Sequence, residues 1–216
     1  MRVRAAALIA LVVAALTGCT STLAEEPVSD PNAPLVAFYG DSYTLGTGLA
    51  DLSDRWSTAI CAQRGWREFN PSVNGLGFVN NRGRGGDLPE LIVAQRPDIV
   101  FVTMGLNDNF SYEFAADEIE AQITTDFDYL TTELPDARFI VVEPFWYTDQ
   151  RPESVGIIID WVHEAAEAIG ADWIPDASHW IEGHPEWMAS DGLHPNEEGY
   201  AEMTRKMDAA LTQLGL

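Results

Sequence analysis

The sequence is poor in cysteine, in basic residues and in long apolar runs, and each shortage excludes something. Its two cysteines, Cys19 and Cys61, are too few for a disulfide framework or a cysteine-built zinc cluster. Only 12 Lys and Arg face 34 Asp and Glu, for a formal charge of −22 at pH 7. A surface of that sign repels phosphate backbones and anionic headgroups, which argues against nucleic-acid binding. The acid excess otherwise reads as a solvated face. Beyond Leu16 no apolar stretch is long enough to cross a bilayer, and no internal repeat or low-complexity tract interrupts the chain after Pro34. The four histidines form no His-x-x-x-His pair and there is no cysteine cluster, so a zinc site is not expected. His179 and His184 sit in a Trp-rich loop, and His163 in a helix next to Glu164.

What is present begins with an export signal. Met-Arg-Val-Arg is followed by an apolar stretch from Ala5 to Leu16 and then by Leu16-Thr17-Gly18-Cys19. The last four residues resemble the lipobox of bacterial lipoproteins. That resemblance implies a signal peptide over residues 1–18, lipidation of Cys19 and a place on the extracytoplasmic face of the membrane, the alternative being plain secretion. Membrane contact is then by the anchor alone. Residues 19–33 are polar, carry Pro27 and Pro31, and read as a flexible tether. Residues 34–216, about 180 of them, suffice for one domain with its own core. With Cys19 acylated, Cys61 has no partner and reads as a small buried hydrophobe.

Within the domain, short apolar runs at Leu35 to Tyr39, Ile99 to Thr103, Phe139 to Glu143 and Asp172 to Pro175 read as buried strands, and Arg67 to Val73 as a weaker fifth. Helical stripes lie between them: Leu49, Leu52, Trp56 and Ile60; Ile119, Ile123, Phe127, Leu130 and Leu134; Val155, Ile158, Val162, Ala166 and Ile169. A last stripe of Tyr200, Met203, Met207, Ala210, Leu211 and Leu214 follows Asn196, a suitable cap, with Glu197 and Glu198 in the favourable first turn. Strands alternating with helices predict an α/β domain around a parallel sheet of about five strands, covered on both faces.

In such a sheet, ligands bind beyond the carboxyl ends of the strands. Polar groups gather there: Gly40-Asp41-Ser42-Tyr43, Asn74-Gly75-Leu76-Gly77, Gly105-Leu106-Asn107-Asp108 and, before the last helix, Asp191-Gly192-Leu193-His194-Pro195. Singly, each reads as an ordinary turn or cap. Together they hold what acyl transfer needs. A serine hydroxyl requires a base, for which His194 is the candidate, and an imidazole works best with a carboxylate on its other nitrogen, which Asp191 is close enough to provide. A tetrahedral oxyanion needs preorganised donors, and the N–H groups of Ser42 and Gly75 and the amide of Asn107 are suited to supply them.

These four segments resemble the four sequence blocks of the SGNH hydrolases, also called GDSL esterases and lipases, and the likeness runs from Pro34 to the last helix. The resemblance implies a flavodoxin-like, three-layer α/β/α domain without cofactor. In it Ser42 attacks, His194 is base and then acid, Asp191 orients His194, and Gly75 and Asn107 join the Ser42 N–H in the oxyanion hole. Gly75 is preferred to Gly77 because it lies five residues after Asn70. Tyr43 stands where the family usually has leucine, which places it on the pocket wall. Tyr43, Trp146, Tyr147, Trp180 and Trp187 either form an acyl or sugar subsite or cover the edge of the core.

The expected activity is serine-dependent hydrolysis of a carboxylic ester, with a small acyl group such as acetyl on a polar carrier such as carbohydrate, since no long apolar lid segment is present. Acyl transfer to another alcohol is a close variant, and a monomer is expected. The alternatives are a lipase or lysophospholipase of the same family, a glycan-binding lipoprotein without catalysis, and a metallo-phosphoesterase.

Overall fold

The computed structural model describes residues 30–216. The expected leader over 1–18, Cys19 and most of the tether lie outside the described residues. The last stretch of that tether is structured: Asp30 caps a turn by accepting from the Asn32 N–H (2.9 Å), and Arg67 reaches the Ala33 carbonyl through Nε (2.9 Å).

Five strands, β1 (Leu35–Tyr39), β2 (Arg67–Phe69), β3 (Ile99–Val102), β4 (Arg138–Val142) and β5 (Asp172–Ile174), form one parallel sheet in the order β2-β1-β3-β4-β5. Strands covered on both faces lack polar alternation, and β1, β3 and β4 are accordingly unbroken apolar runs with buried interiors. Strand β2 is shorter than the run to Val73 suggests. Asn70 turns the chain instead, accepting from the Ser72 N–H (3.1 Å) and donating to the Thr44 carbonyl (2.8 Å), and Pro71 cannot continue a ladder.

One face is packed by α2 (Trp56–Arg64) and α6 (Glu197–Gln213). Here Trp56, Ile60, Met203, Met207 and Leu211 meet Val36, Phe38 and Phe101. The other carries α3 (Leu88–Gln95), α4 (Tyr112–Glu133) and α5 (Glu153–Ile169), whose Ile92, Ile119, Ile123, Phe127 and Val162 meet Tyr39, Val100, Val102 and Val141. The result is three layers, α/β/α. The stripes of α4, α5 and α6 face the sheet as their spacing predicts, and Asn196 caps α6 by accepting from the Gly199 N–H (3.1 Å).

Two segments differ from expectation. The stripe from Leu49 does not form one helix: Asp51 caps a 3₁₀ turn over Leu52–Asp54, Leu52 is half exposed, and α2 starts only at Trp56. Helix α3 has no counterpart in the periodicity. It starts from Asp87, which accepts from the Glu90 N–H (3.2 Å), with Pro89 in its first turn. Cys61 is buried on α2, and burial pushes its thiol pKa up. Among the described residues no helix is long and apolar enough to cross a membrane.

Candidate active site

Because β1 and β3 are neighbours whose following helices pack on opposite faces, their carboxyl ends form the topological switch point at which doubly wound sheets bind ligands. Ser42 stands there as the first residue of a short helix, α1 (Ser42–Leu45), capped by Asp41, whose Oδ1 accepts from the Tyr43 N–H (2.9 Å). The capping role and the site therefore coincide. Ser42 is 4% exposed, and its N–H, at the open end of the helix, has no protein acceptor among the described residues.

Asp41 also binds Asn107. Its Oδ2 accepts from Asn107 Nδ2 (3.0 Å), and the same nitrogen donates to the Leu76 carbonyl (2.9 Å). Both amide hydrogens of Asn107 are thus engaged, and an incoming acceptor has to share one of them. Burial pushes the Asp41 carboxyl up to about 7; the Tyr43 N–H opposes the rise and the Asp108 charge adds to it. Asp108 clamps the adjoining loop, accepting from the N–H groups of Phe78 (2.8 Å), Val79 (2.9 Å) and Asn80 (3.2 Å). Its own carboxyl is raised, burial outweighing those three bonds.

The loop separates the two glycines. Gly77 spends its N–H on the Asn80 carbonyl (2.8 Å), and a Cβ there would lie 2.5 Å from the Asp108 carboxylate, so packing alone demands glycine. Gly75 sits at φ +73, its carbonyl held by the side-chain amides of Asn80 and Asn81 (both 2.8 Å). Its N–H has no protein acceptor among the described residues, which leaves Gly75 rather than Gly77 with a free donor.

On the far side, Asp191 Oδ2 meets His194 Nδ1 at 2.7 Å, and Asp191 Oδ1 accepts from the N–H groups of Leu193 (2.9 Å) and His194 (3.0 Å). The bond to the His194 ring first, and those N–H groups after it, hold the Asp191 carboxyl down at about 2, so it is ionised at neutral pH. The loop is closed at its base by a Met188–Pro195 bridge and by the Ala189 N–H on the His194 carbonyl (2.8 Å). No hydrogen bond joins the His194 ring to the Ser42 hydroxyl. The two segments are joined through tyrosines instead. Tyr43 donates its hydroxyl to the Leu193 carbonyl (2.7 Å), and the Tyr200 hydroxyl lies within reach of the carbonyls of Thr47 (3.0 Å) and Ser42 (3.3 Å).

Tyr43 therefore does not belong to a pocket wall. It is 1% exposed, stacked on Phe145 (centroids 5.6 Å apart), and it anchors the His194 loop in a way leucine could not. Tyr43→Phe keeps the ring and removes only that bond. The variant should lose about 1 kcal/mol in chemical denaturation and, with the loop released, about tenfold in kcat at little change in KM. Trp146 and Trp180 are buried at the edge of the core, whereas Tyr147 and Trp187 remain partly exposed beside it. The other histidines are paired locally: His163 stacks on Trp173 (4.5 Å), His179 contacts Glu182 and Arg151, and His184 bonds Glu186 (2.7 Å). No cluster of three His, Cys, Asp or Glu side chains is placed to hold a metal among the described residues.

A three-layer α/β/α domain with a capped serine, a histidine–carboxylate pair and unspent N–H donors at one sheet end defines an esterase of the SGNH type. The chain belongs to the GDSL-like lipase/acylhydrolase family, whose model matches residues 38–202. It is 31% identical over 182 residues to the GDSL lipase Rv0518 of Mycobacterium tuberculosis (strain ATCC 25618 / H37Rv), covering 80% of this chain and 79% of that protein. Among solved structures it resembles the psychrotrophic esterase EstA from Pseudoalteromonas sp. (TM-score 0.68, 17% identity, 84% and 98% of the two chains). It also resembles the acetylxylan esterase Axe2 from Geobacillus stearothermophilus (TM-score 0.62, 19% identity, 82% and 93%).

Proposed function

We propose that the protein hydrolyses carboxylic esters through an acyl-enzyme on Ser42. His194 takes the hydroxyl proton as the Ser42 Oγ–carbon bond forms, then gives it to the departing alcohol as the ester C–O bond breaks. Water, deprotonated by the same ring, releases the acid and returns the proton to Ser42. Asp191 fixes the ring, and the oxyanion is held by the Ser42 and Gly75 N–H groups and a shared hydrogen of Asn107. The observation that carries this reading is the 2.7 Å Asp191–His194 bond on a loop tied by Tyr43 to the Ser42 segment. The preferred substrate carries a small acyl group, acetyl above all, on a polar alcohol such as a carbohydrate. The same fold serves an acetylxylan esterase. Export and anchoring through Cys19 would place this activity outside the cytoplasm.

The test is a p-nitrophenyl ester series, acetate through octanoate and longer, run beside labelling with a fluorophosphonate and peptide mass mapping. One adduct, on Ser42, together with fastest turnover on acetate is expected. An octanoate or longer optimum would favour a lipase, while absence of both adduct and turnover would favour a glycan-binding protein.

A further inference from the structure

Beside the loop that carries Asp191 and His194 lies a cleft of about 570 Å³, within the usual range for small-molecule sites, which the machinery described above does not use. Ala189, Ser190 and Gly192 make one wall, and the segment Tyr147 to Gln150 with His184 makes another. None of Ser42, Gly75, Asn107, Asp191 and His194 lines it. Its wall residues Ser190 and Gly192 flank Asp191 in the chain. A Cβ built on Gly48, next to the Ser42 helix, would lie 3.4 Å from His194 Cβ and 3.5 Å from the Cβ of Ala189, a wall residue.

The direction of the chemistry gives this cleft a role. The proton on His194 goes to the leaving alcohol, so the alcohol portion of an ester must lie on the His194 side of the scissile bond. The carbonyl oxygen turns the other way, toward Gly75 and Asn107. We propose, resting on the ester-hydrolase reading above, that the cleft is the alcohol subsite and takes a neutral, hydroxyl-rich ring, a carbohydrate.

Its lining argues for that class. No lysine or arginine contributes, Asp149 does, and the His184 ring is already bonded to Glu186, so a phosphate- or uronate-bearing alcohol meets repulsion without a counter-charge. Flat and apolar surfaces come from Tyr147, Met188 and His184, the last stacked on Trp187 with centroids 3.6 Å apart. Polar capacity is left over beside them. The Gln150 amide and the Ser190 hydroxyl make no protein hydrogen bond among the described residues, and Asp149 uses only Oδ1, on the Gly183 N–H (2.7 Å). A simple alkyl alcohol would leave all three unused.

The test compares kcat/KM for a mono-O-acetylated methyl glucoside with that for ethyl acetate, whose alcohol is too small to enter the cleft. The intact domain and its surface variants Tyr147→Ala, Gln150→Ala and Ser190→Trp are followed by pH-stat titration. The wild type should favour the glycoside by at least about a hundredfold, and each variant should lower that ratio about tenfold, mainly through KM, one lost contact corresponding to about one decade. An acetylated methyl glucuronide should be turned over at least about tenfold more slowly than the glucoside. A ratio unchanged in all three variants, or a preference for the uronate, would overturn the subsite while leaving the esterase standing. Failure of the wild type on every ester, ethyl and p-nitrophenyl acetate included, would overturn both.

Discussion

Replacing Ser42 or His194 by alanine should lower kcat on p-nitrophenyl acetate by about four to six orders of magnitude, with KM nearly unchanged. Neither side chain contributes much to binding the ground state. Each acts where the Oγ–carbon bond forms, so its loss appears in the rate. The double variant should be no slower than the worse single one, because a nucleophile without its base and a base without its nucleophile are equally idle. Asp191→Ala should be milder by about one to two orders, since an unpaired His194 still accepts a proton but samples other orientations once the 2.7 Å bond is gone. Steady-state kinetics on the four variants decides this. Near-normal turnover by Ser42→Ala would rule out the acyl-enzyme.

Asp126→Ala should destabilise the fold more than any of the active-site substitutions. Asp126, on α4, has its side chain 3% exposed and takes both guanidinium nitrogens of Arg82 (2.7 Å each), the Tyr39 hydroxyl (2.6 Å) and the Gln122 amide (2.9 Å). Alanine leaves the half-buried Arg82 charge with only its longer pair to Asp87 (3.3 Å) and takes the acceptor from the Tyr39 hydroxyl, a loss on the order of 3 kcal/mol, or about 6–12 °C in Tm for a domain of this size. Activity should fall as well, by about a hundredfold. Arg82 also donates to the Phe78 carbonyl (3.0 Å), so the pair anchors the loop in which Gly75 holds its free N–H. Thermal denaturation and ester kinetics on one preparation test both halves, with Gln122→Ala, which removes a single neutral donor, as the mild comparison. An unchanged Tm would show that the network holds nothing.

How far the sequence reaches depends on distance along the chain. Strands β1, β3 and β4 were legible because burial on both faces leaves no room for polar alternation, and α4, α5 and α6 because a helix buries one stripe. The Asp191–His194 pair was legible because both residues share one turn. Helix α3 was not, since eight residues after a glycine-rich loop are too few to display a period. Nor was the break after Leu49, where the Asp51 cap outcompetes a spacing that only resembles a stripe.

The sequence by itself determined the family, the parallel α/β class and the residue types available for chemistry, because periodicity and short motifs are local records of burial and turn geometry. Only the tertiary structure decided which polar groups meet. Tyr43 and Leu193 are 150 residues apart, Tyr39 and Asp126 87, and Asp41 and Asn107 66. The same holds for the Gly77 N–H, which is spent while that of Gly75 stays free because of where the Asn80 carbonyl lies. A hydrogen bond between distant segments is satisfied only once the sheet has brought them together, and nothing periodic in the chain announces it.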